Sequence, residues 1–241
     1  MLANVAGMTG MWDDLAVALS HDLPAPLRSM LGFNRLCLED GAAALTPQIL
    51  EHLQRVHDAG SLMSRMLSAV ASFVEMGRVP LRTEVIHLDA LARSIIEKLR
   101  LSDPSRRIEF NVSASAAVTV MGDPRLLRIL LETVLGNAWK FTALNPDARI
   151  DLAVIDSASG QTWLVRDNGV GFHMKHAARL FTLFKRLHRH DEFPGLGTGL
   201  ALAQQVARRH GGRIAAESAI GHGALFSITM PRPNPSAPTS P

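Results

Sequence analysis

Hydrophobic residues recur every three or four positions along the first third of the chain, and this spacing predicts two long amphipathic helices. The first is expected from about Trp12 to Asp40, with an apolar seam at Ala16, Leu19, Leu23, Pro26, Met30, Phe33 and Cys37. The second is expected from Pro47 to Met76, with a heptad seam at Ile49, Leu53, Val56, Gly60, Met63, Leu67, Val70 and Val74. Asp40-Gly41 is typical of a helix end and Thr46-Pro47 of a helix start. Residues 12–77 are therefore predicted to form an antiparallel helical hairpin.

A single hairpin cannot bury both seams of two helices of this length. We expect two copies of the chain to pair through these helices, giving a homodimer with a four-helix bundle. The alternative is a hairpin folded onto the rest of the same chain.

The remainder of the chain mixes strands and helices without strict alternation, which predicts a mixed sheet with helices on one face. Strands are expected at Val85–Leu88, Ile108–Val112, Ala117–Met121, Arg149–Ile155, Thr162–Val165, Arg213–Glu217 and Ala224–Met230. Helices are expected after the capping residues Asp89 and Asp123 and from Leu200 to His210. The fold class is α+β, with a second domain at 78–231, a hinge at 76–82 and a disordered tail at 232–241.

Composition excludes several function classes. A formal charge of +3 over 241 residues is too small to indicate nucleic-acid binding. Cys37 is the only cysteine, which excludes an internal disulfide framework and fits a reducing, cytoplasmic compartment. No apolar stretch has the length of a membrane span, and the first residues lack the pattern of a secretion signal. We expect a cytoplasmic protein with no direct membrane insertion.

Two glycine clusters indicate a nucleotide site. Asp167-Asn168-Gly169-Val170-Gly171 follows a predicted strand, and Gly195-Leu196-Gly197-Thr198-Gly199 opens a predicted helix at Leu200. Glycine permits a close backbone approach to a ligand, and helix N-termini favour anions. The residues between the clusters carry few strand signals and are interpreted as a mobile cover. The alternative is two ordinary glycine turns.

Two polar residues share one face of the predicted helix that follows Asp123. Asn137 and Lys140 are three positions apart. An amide oxygen can ligate Mg²⁺ and an ammonium group can contact phosphate, although solvated surface residues are the alternative.

His21 and Asp22 are candidate catalytic residues on the first helix. In the frame of the seam His21 is predicted to face water, and Pro24 and Pro26 are predicted to bend the helix just after it. A neutral imidazole is nucleophilic, and a neighbouring carboxylate can accept its N–H proton or fix its tautomer. The alternative is an ordinary solvated histidine.

Five motifs in this order resemble the transmitter region of two-component sensor histidine kinases, particularly the phytochrome-like group. They are Ser20-His-Asp-Leu-x-x-Pro-Leu27, Asn137-Ala-Trp-Lys-Phe-Thr142, Asp167-Asn-Gly-Val-Gly171, Leu180-Phe-Thr-Leu-Phe-Lys-Arg186 and Gly195-Leu-Gly-Thr-Gly-Leu200. The resemblance covers about Asp14 to Pro231. It implies a HisKA-type dimerisation and phosphoacceptor hairpin, followed by the ATP-binding sandwich shared with gyrase and heat-shock chaperone ATPases.

The resemblance also implies a role for each motif. His21 would be phosphorylated by ATP, Asp22 would be its acid/base neighbour, Asn137 would hold Mg²⁺ and Asp167 would accept from the adenine amino group. The implied nucleotide-binding residues are Asn137, Lys140, Asp167, Gly169, Gly171, Phe184, Arg186, Gly195, Gly197, Thr198, Gly199 and Leu200. The implied partners are a response regulator receiver domain, which takes the phosphoryl group on an aspartate, and a sensor domain that is separate or has been truncated.

Three positions depart from the family pattern. Thr133 replaces a second asparagine, Leu196 replaces a common Ser or Thr, and Ala25 stands where Thr or Asn often supports dephosphorylation of the partner. Ala25 predicts weak phosphatase activity. Thr133 and Leu196 leave open a degenerate dimeric module that binds nucleotide without phosphotransfer. An ATPase of the gyrase or chaperone type is a third interpretation, but it has no use for His21-Asp22.

Overall fold

The structure is a computed structural model, and it describes residues 18–41, 44–113, 119–158, 160–188, 192–193 and 195–232, without the side chains of Ser20 and His21. The chain divides into two compact units between Val79 and Pro80. The predicted helix start at Trp12, the water-facing imidazole of His21 and nearly all of the predicted disordered tail lie outside the described residues.

The N-terminal unit contains a π-helical turn and two helices: Ala18–Asp22, α1 (Pro24–Asp40) and α2 (Pro47–Arg78). The described part of the predicted first helix is helical on both sides of Leu23, but its hydrogen-bonding pattern changes from π to α there. The α-helix begins at Pro24, where proline lacks only an N–H that would have no partner in the first turn. The two prolines therefore start a helix rather than strain one.

The hairpin packs through a different face of α1 from the predicted seam. Leu27 and Asn34 are buried, and the Asn34 amide donates to the backbone oxygen of Leu53 at 3.2 Å. Leu31 packs so closely on Gly60 of α2 that a Cβ there would lie 2.7 Å from it. Met30 and Phe33, which were predicted as seam residues, are 64% and 72% exposed in the single chain.

The second unit contains seven strands and three helices within its described residues. In chain order they are β1 (Glu84–His87), α3 (Leu88–Ser102), β2 (Glu109–Ser113), β3 (Thr119–Gly122), α4 (Pro124–Phe141), β4 (Arg149–Ser157), β5 (Gly160–Asp167), α5 (Gly199–Arg209), β6 (Arg213–Ser218) and β7 (Ala224–Pro231). A short 3-10 helix, Met174–Arg179, lies between the two glycine clusters.

Five strands form one sheet in the order β2-β4-β5-β7-β6. The sheet is mixed, as the sequence predicted. The β2–β4 pair is parallel and the other three pairs are antiparallel. β1 and β3 form a separate antiparallel ribbon that the sequence did not predict. Buried residues alternate along β5 and β7, which is consistent with a sheet covered on one face.

The N-termini of α3 and α4 differ in whether an aspartate caps them. Asp123 caps α4 as predicted, because its Oδ1 accepts from the backbone N–H groups of Arg125 and Leu126. Asp89 does not cap α3, since that helix already begins at Leu88. The buried face of α4 contacts both α3 and α5, so α4 is the central helix of this unit.

Candidate nucleotide-binding site

One cavity of about 230 Å³ in the second unit brings together most of the predicted nucleotide-binding residues. Ten of the twelve line its wall: Asn137, Lys140, Asp167, Gly171, Arg186, Gly195, Gly197, Thr198, Gly199 and Leu200. They come from α4, the end of β5, the segment between the glycine clusters and the start of α5. Four stretches that are distant in sequence thus meet at one cavity.

Asp167 ends β5, and its two carboxylate oxygens have different surroundings. Oδ1 accepts from the backbone N–H groups of Gly169 at 2.9 Å and Ala224 at 3.3 Å. Both of these hydrogen bonds go to Oδ1 and neither goes to Oδ2, and Asp167 lines the cavity. Burial raises the pKa of this carboxyl, against the lowering effect of the two N–H donors. The arrangement suits an acceptor for a donor group on a bound ligand.

Three of the described residues that line the cavity are cationic, Lys140, Lys185 and Arg186, and two of them influence each other. Burial lowers the pKa of Lys140, and the nearby positive charge of Arg186 lowers it further. The ammonium of Lys140 lies 4.2 Å from the ring centre of Phe141, and the guanidinium of Arg186 donates to the backbone oxygen of Phe193. Two like charges held at one wall create a positive region that a polyanion would relieve.

The second glycine cluster has backbone conformations that other residues rarely adopt. Gly195 has φ 139° and Gly197 has φ 73°. A Cβ at Gly197 would lie 2.7 Å from the backbone oxygen of Lys185, so the loop also needs glycine for space. Thr133 packs against Gly199, where a Cβ would lie 3.0 Å from its methyl group. Thr133 therefore packs against the end of this glycine cluster and is not part of the cavity wall.

Gly169 and Phe184 are the two predicted residues that the structure does not place in the wall. Gly169 lies under the backbone of Phe141, and a Cβ there would meet that carbonyl oxygen at 2.5 Å. Phe184 has φ 62°, and its N–H donates to the Gly197 oxygen at 3.0 Å. Both residues shape the site through their backbones.

Ten further described residues of the cavity were missed, because they lie outside the quoted motifs or occupy motif positions to which no binding role was assigned. They are Phe141, Phe172, Leu180, Lys185, Leu187, His188, Phe193, Leu196, Ala224 and Phe226. Strand periodicity predicts that Phe226 faces inward, but no periodicity covers the irregular segment that holds Leu187, His188 and Phe193.

The candidate catalytic residues His21 and Asp22 lie in the π-helical turn of the N-terminal unit. Asp22 is exposed, and the side chain of His21 is outside the described residues. Among the described residues no group of three or more His, Cys, Asp or Glu side chains could hold a metal ion. No helix in the described ranges has the length and apolar character of a membrane span.

Comparison with known proteins identifies the second unit. Residues 122–234 match the family of histidine kinase-, DNA gyrase B-, and HSP90-like ATPases. This region is therefore similar to the ATPase domain of histidine kinases. The matched region begins just before α4 and includes every described residue of the cavity wall.

Curated relatives extend the match to nearly the whole chain. The circadian input-output histidine kinase CikA of Synechococcus elongatus is 28% identical over 236 residues, which cover 95% of this chain and 31% of that protein. Cyanobacterial phytochrome B of a Nostoc species is 28% identical, covering 90% of this chain and 29% of that protein. BarA of Escherichia coli, a signal transduction histidine-protein kinase, is 28% identical, covering 86% and 23%. The chain spans less than a third of each of these relatives.

Solved histidine kinases share the fold. Full-length ShkA, crystallised with AMPPNP, matches with a TM-score of 0.66 and 25% identity, over 93% of this chain and 47% of that chain. The mycobacterial sensor histidine kinase MprB matches with a TM-score of 0.54 and 26% identity, over 64% of this chain and all of that one.

Proposed function

We propose that this chain is an ATP-dependent histidine autokinase that phosphorylates His21 and passes the phosphoryl group to an aspartate of a response regulator. The observation that carries the proposal is the cavity whose wall includes a buried carboxylate, Asp167, and two cations, Lys140 and Arg186. The histidine kinase relatives support it, as does the AMPPNP bound to ShkA.

The cavity offers complementary groups to the two ends of a nucleotide. Asp167 Oδ2 would accept from the amino group of adenine, while Oδ1 stays on Gly169 and Ala224 and keeps the carboxylate in place. Lys140 and Arg186 would contact the polyphosphate, and this would relieve their mutual repulsion. The backbone of the second glycine cluster, at the N-terminus of α5, favours the same negative charge.

The donor set fits Mg²⁺ that arrives with the nucleotide. Mg²⁺ usually keeps several waters and binds through one or two protein oxygens plus substrate phosphates. Asn137 lines the cavity and offers one such oxygen, and the described residues contain no acidic cluster that would hold the ion alone. When bound, Mg²⁺ would neutralise charge on the transferring phosphoryl group.

His21 would supply the nucleophile. A lone pair of the neutral imidazole attacks the γ-phosphorus, the bond to the β,γ-bridging oxygen breaks, and ADP leaves. The imidazole N–H proton then passes to Asp22 or to water, which leaves a neutral phosphohistidine ring. Asp22 is exposed and adjacent in sequence, and it therefore suits this role.

The partners follow from the same proposal. The uncovered Met30 and Phe33 support a homodimer through the N-terminal helices. A receiver domain would accept the phosphoryl group, and a sensor domain would supply the signal, either in a longer chain or as a separate protein. A cytoplasmic location is proposed with them.

The experiment is labelling of the purified protein with γ-³²P-ATP, with and without EDTA. We expect label that is acid-labile and base-stable in the wild type, no label in His21→Gln, and normal label in His52→Gln, an exposed histidine of α2. ATP binding should survive in His21→Gln. Label that persists in His21→Gln would exclude His21 as the acceptor, and wild-type protein that binds ATP without any label would favour the degenerate module.

A further inference from the structure

Three aromatic rings form a cluster beside the cavity. Phe141 ends α4, while His188 and Phe193 come from the segment between the two glycine clusters. The ring centres lie 5.1 Å apart for Phe141 and His188, 5.4 Å for His188 and Phe193, and 5.0 Å for Phe141 and Phe193. These distances and the tilted or edge-on angles are favourable for aromatic pairs.

His188 connects three walls of the cavity. Its ring contacts α4 through Phe141 and a later part of its own segment through Phe193. A ring N–H also bonds to the backbone of Gly171, which follows Asp167 in the first glycine cluster. Among the three cluster members, only His188 can make both ring contacts and a side-chain hydrogen bond.

Two of the three described cationic residues of the cavity, Lys140 and Arg186, contact the same cluster. The ammonium of Lys140 lies over the ring of Phe141, and the guanidinium of Arg186 donates to the backbone oxygen of Phe193. Moving Phe141 or Phe193 would therefore displace a cation. His188 touches both of these rings, so its imidazole can fix the separation of the two cations without contacting phosphate.

We propose that His188 is a positioning residue that holds Lys140 and Arg186 in the arrangement that retains a nucleoside triphosphate. This inference rests on the proposed function, because it assumes that the cavity binds nucleotide. Without the imidazole, Phe141 and Phe193 lose their shared neighbour and the Gly171 carbonyl loses its donor. The nucleotide should then bind in the same place but leave faster.

The charges around His188 allow a second test of its role, through the pKa of its imidazole. Burial lowers the pKa of His188, the charges of Lys140 and Arg186 lower it further, and Glu192 and the bond to Gly171 oppose this. A bound polyphosphate would neutralise the two cations. The pKa of His188 should therefore rise when nucleotide binds, although the ring itself need not touch the ligand.

The first test is the release rate of a fluorescent ATP analogue in stopped flow, with thermal melting of each variant alongside. We expect His188→Ala to release it about tenfold faster than wild type, since two ring contacts and a hydrogen bond are lost. His188→Phe keeps the ring contacts and should be about threefold faster. His173→Ala, which removes an exposed histidine of the same segment, should behave as wild type.

The second test is the imidazole titration followed by NMR, with the His188 signal assigned by its absence in His188→Phe. Because burial lowers its pKa, we expect its midpoint to lie below the ordinary value for histidine in the free protein and to rise on addition of Mg-ADP. An unchanged midpoint would show that bound nucleotide does not alter the charges around His188 and would contradict its coupling to Lys140 and Arg186.

The outcomes separate the two proposals. If the wild type binds no nucleotide, the proposed function fails and this inference fails with it. If the wild type binds but His188→Ala and His188→Phe release nucleotide at the wild-type rate, only the role of His188 is overturned. If His188→Ala does not fold, His188→Phe decides, because it retains the aromatic packing.

Discussion

Asp167 shows how one side chain can serve the fold and the ligand at the same time. Oδ1 is committed to the backbone of Gly169 and Ala224, which joins the ends of β5 and β7, and Oδ2 is left for the cavity. Because the carboxylate is buried with its pKa raised, its ionised form destabilises the free protein slightly. A hydrogen-bond donor of a bound ligand would offset that destabilisation.

Asp167→Asn separates these two roles. We expect the variant to keep the Oδ1 contacts and to match or exceed wild-type stability at neutral pH, because it removes a buried charge. ATP affinity should fall at least about tenfold, since an amide NH₂ replaces the free acceptor. Calorimetric titration measures the affinities for ATP and GTP, and the ratio of the two affinities should decrease. Thermal melting measures the stability. Unchanged ATP affinity would show that Oδ2 does not contact the base.

At the scale of residues, motifs predicted the polar wall of the cavity and missed its apolar wall. Asn137 and Lys140 were predictable because helical spacing places them on one face of α4. His188 and Phe193 were not, since they lie in an irregular segment where no period relates neighbouring side chains. The positive φ of Phe184 was equally hidden, because only glycine signals such a conformation in a sequence.

At the scale of elements, helix α4 depends on the buried carboxylate of Asp123. Its oxygens accept from the backbone N–H groups of Arg82, Arg125 and Leu126, and from the Arg125 guanidinium. The hydrogen bond from the Arg125 side chain holds the pKa of Asp123 well below its usual range, with the backbone donors adding to it and burial opposing it. This one side chain positions the helix that carries Asn137 and Lys140.

Asp123→Ala should destabilise the second unit by about 1–2 kcal/mol, the usual range for a lost N-cap. Asp123→Asn should cost less, because its amide oxygen can still accept from the first turn. The stabilisation from ionised Asp123 is present above its unfolded pKa, near 4, and is lost as pH falls through the folded value. Urea melts at pH 7 and pH 3 measure this: the gap between wild type and Asp123→Asn should shrink at pH 3. An equal gap at both values would contradict the assignment.

Cap signals made helices the most predictable elements. Asp123-Pro124 and Thr46-Pro47 begin α4 and α2 at the predicted positions, and the Thr46 side chain accepts from the N–H of Ile49. The same proline rule explains why α1 begins at Pro24, although the apolar pattern continues on both sides. The β1–β3 ribbon could not be predicted, since strand pairing between segments separated by a helix leaves no local signal.

At the scale of the whole molecule, the sequence pattern predicted an apolar surface on the hairpin but not which face packs within one chain. Leu27, Leu31 and Asn34 turn toward α2, and this leaves Met30 and Phe33 uncovered. On α2, Ile49, Val56 and Met63 of the heptad seam are 44%, 52% and 56% exposed. Exposed apolar stripes on both helices are what two hairpins need to form a four-helix bundle.

Phe33→Glu tests this dimer. By two-fold symmetry the substitution occurs twice in each dimer, and it places a charge where we expect the centre of the α1 stripe. The dimer dissociation constant should rise at least about a hundredfold, as for a buried aromatic at an interface centre. Analytical ultracentrifugation across a concentration series measures it.

Arg35→Glu is the matched control, because it introduces the same side chain about 200° around the helix from Phe33 and breaks only an exposed pair with Glu39. We expect Arg35→Glu to stay dimeric, and both variants to bind ATP as wild type, since the nucleotide cavity lies entirely in the second unit. If Phe33→Glu remained dimeric, the uncovered α1 face would not be the dimer interface. If it lost ATP binding along with dimerisation, the two units would be coupled, contrary to the separate roles proposed for them.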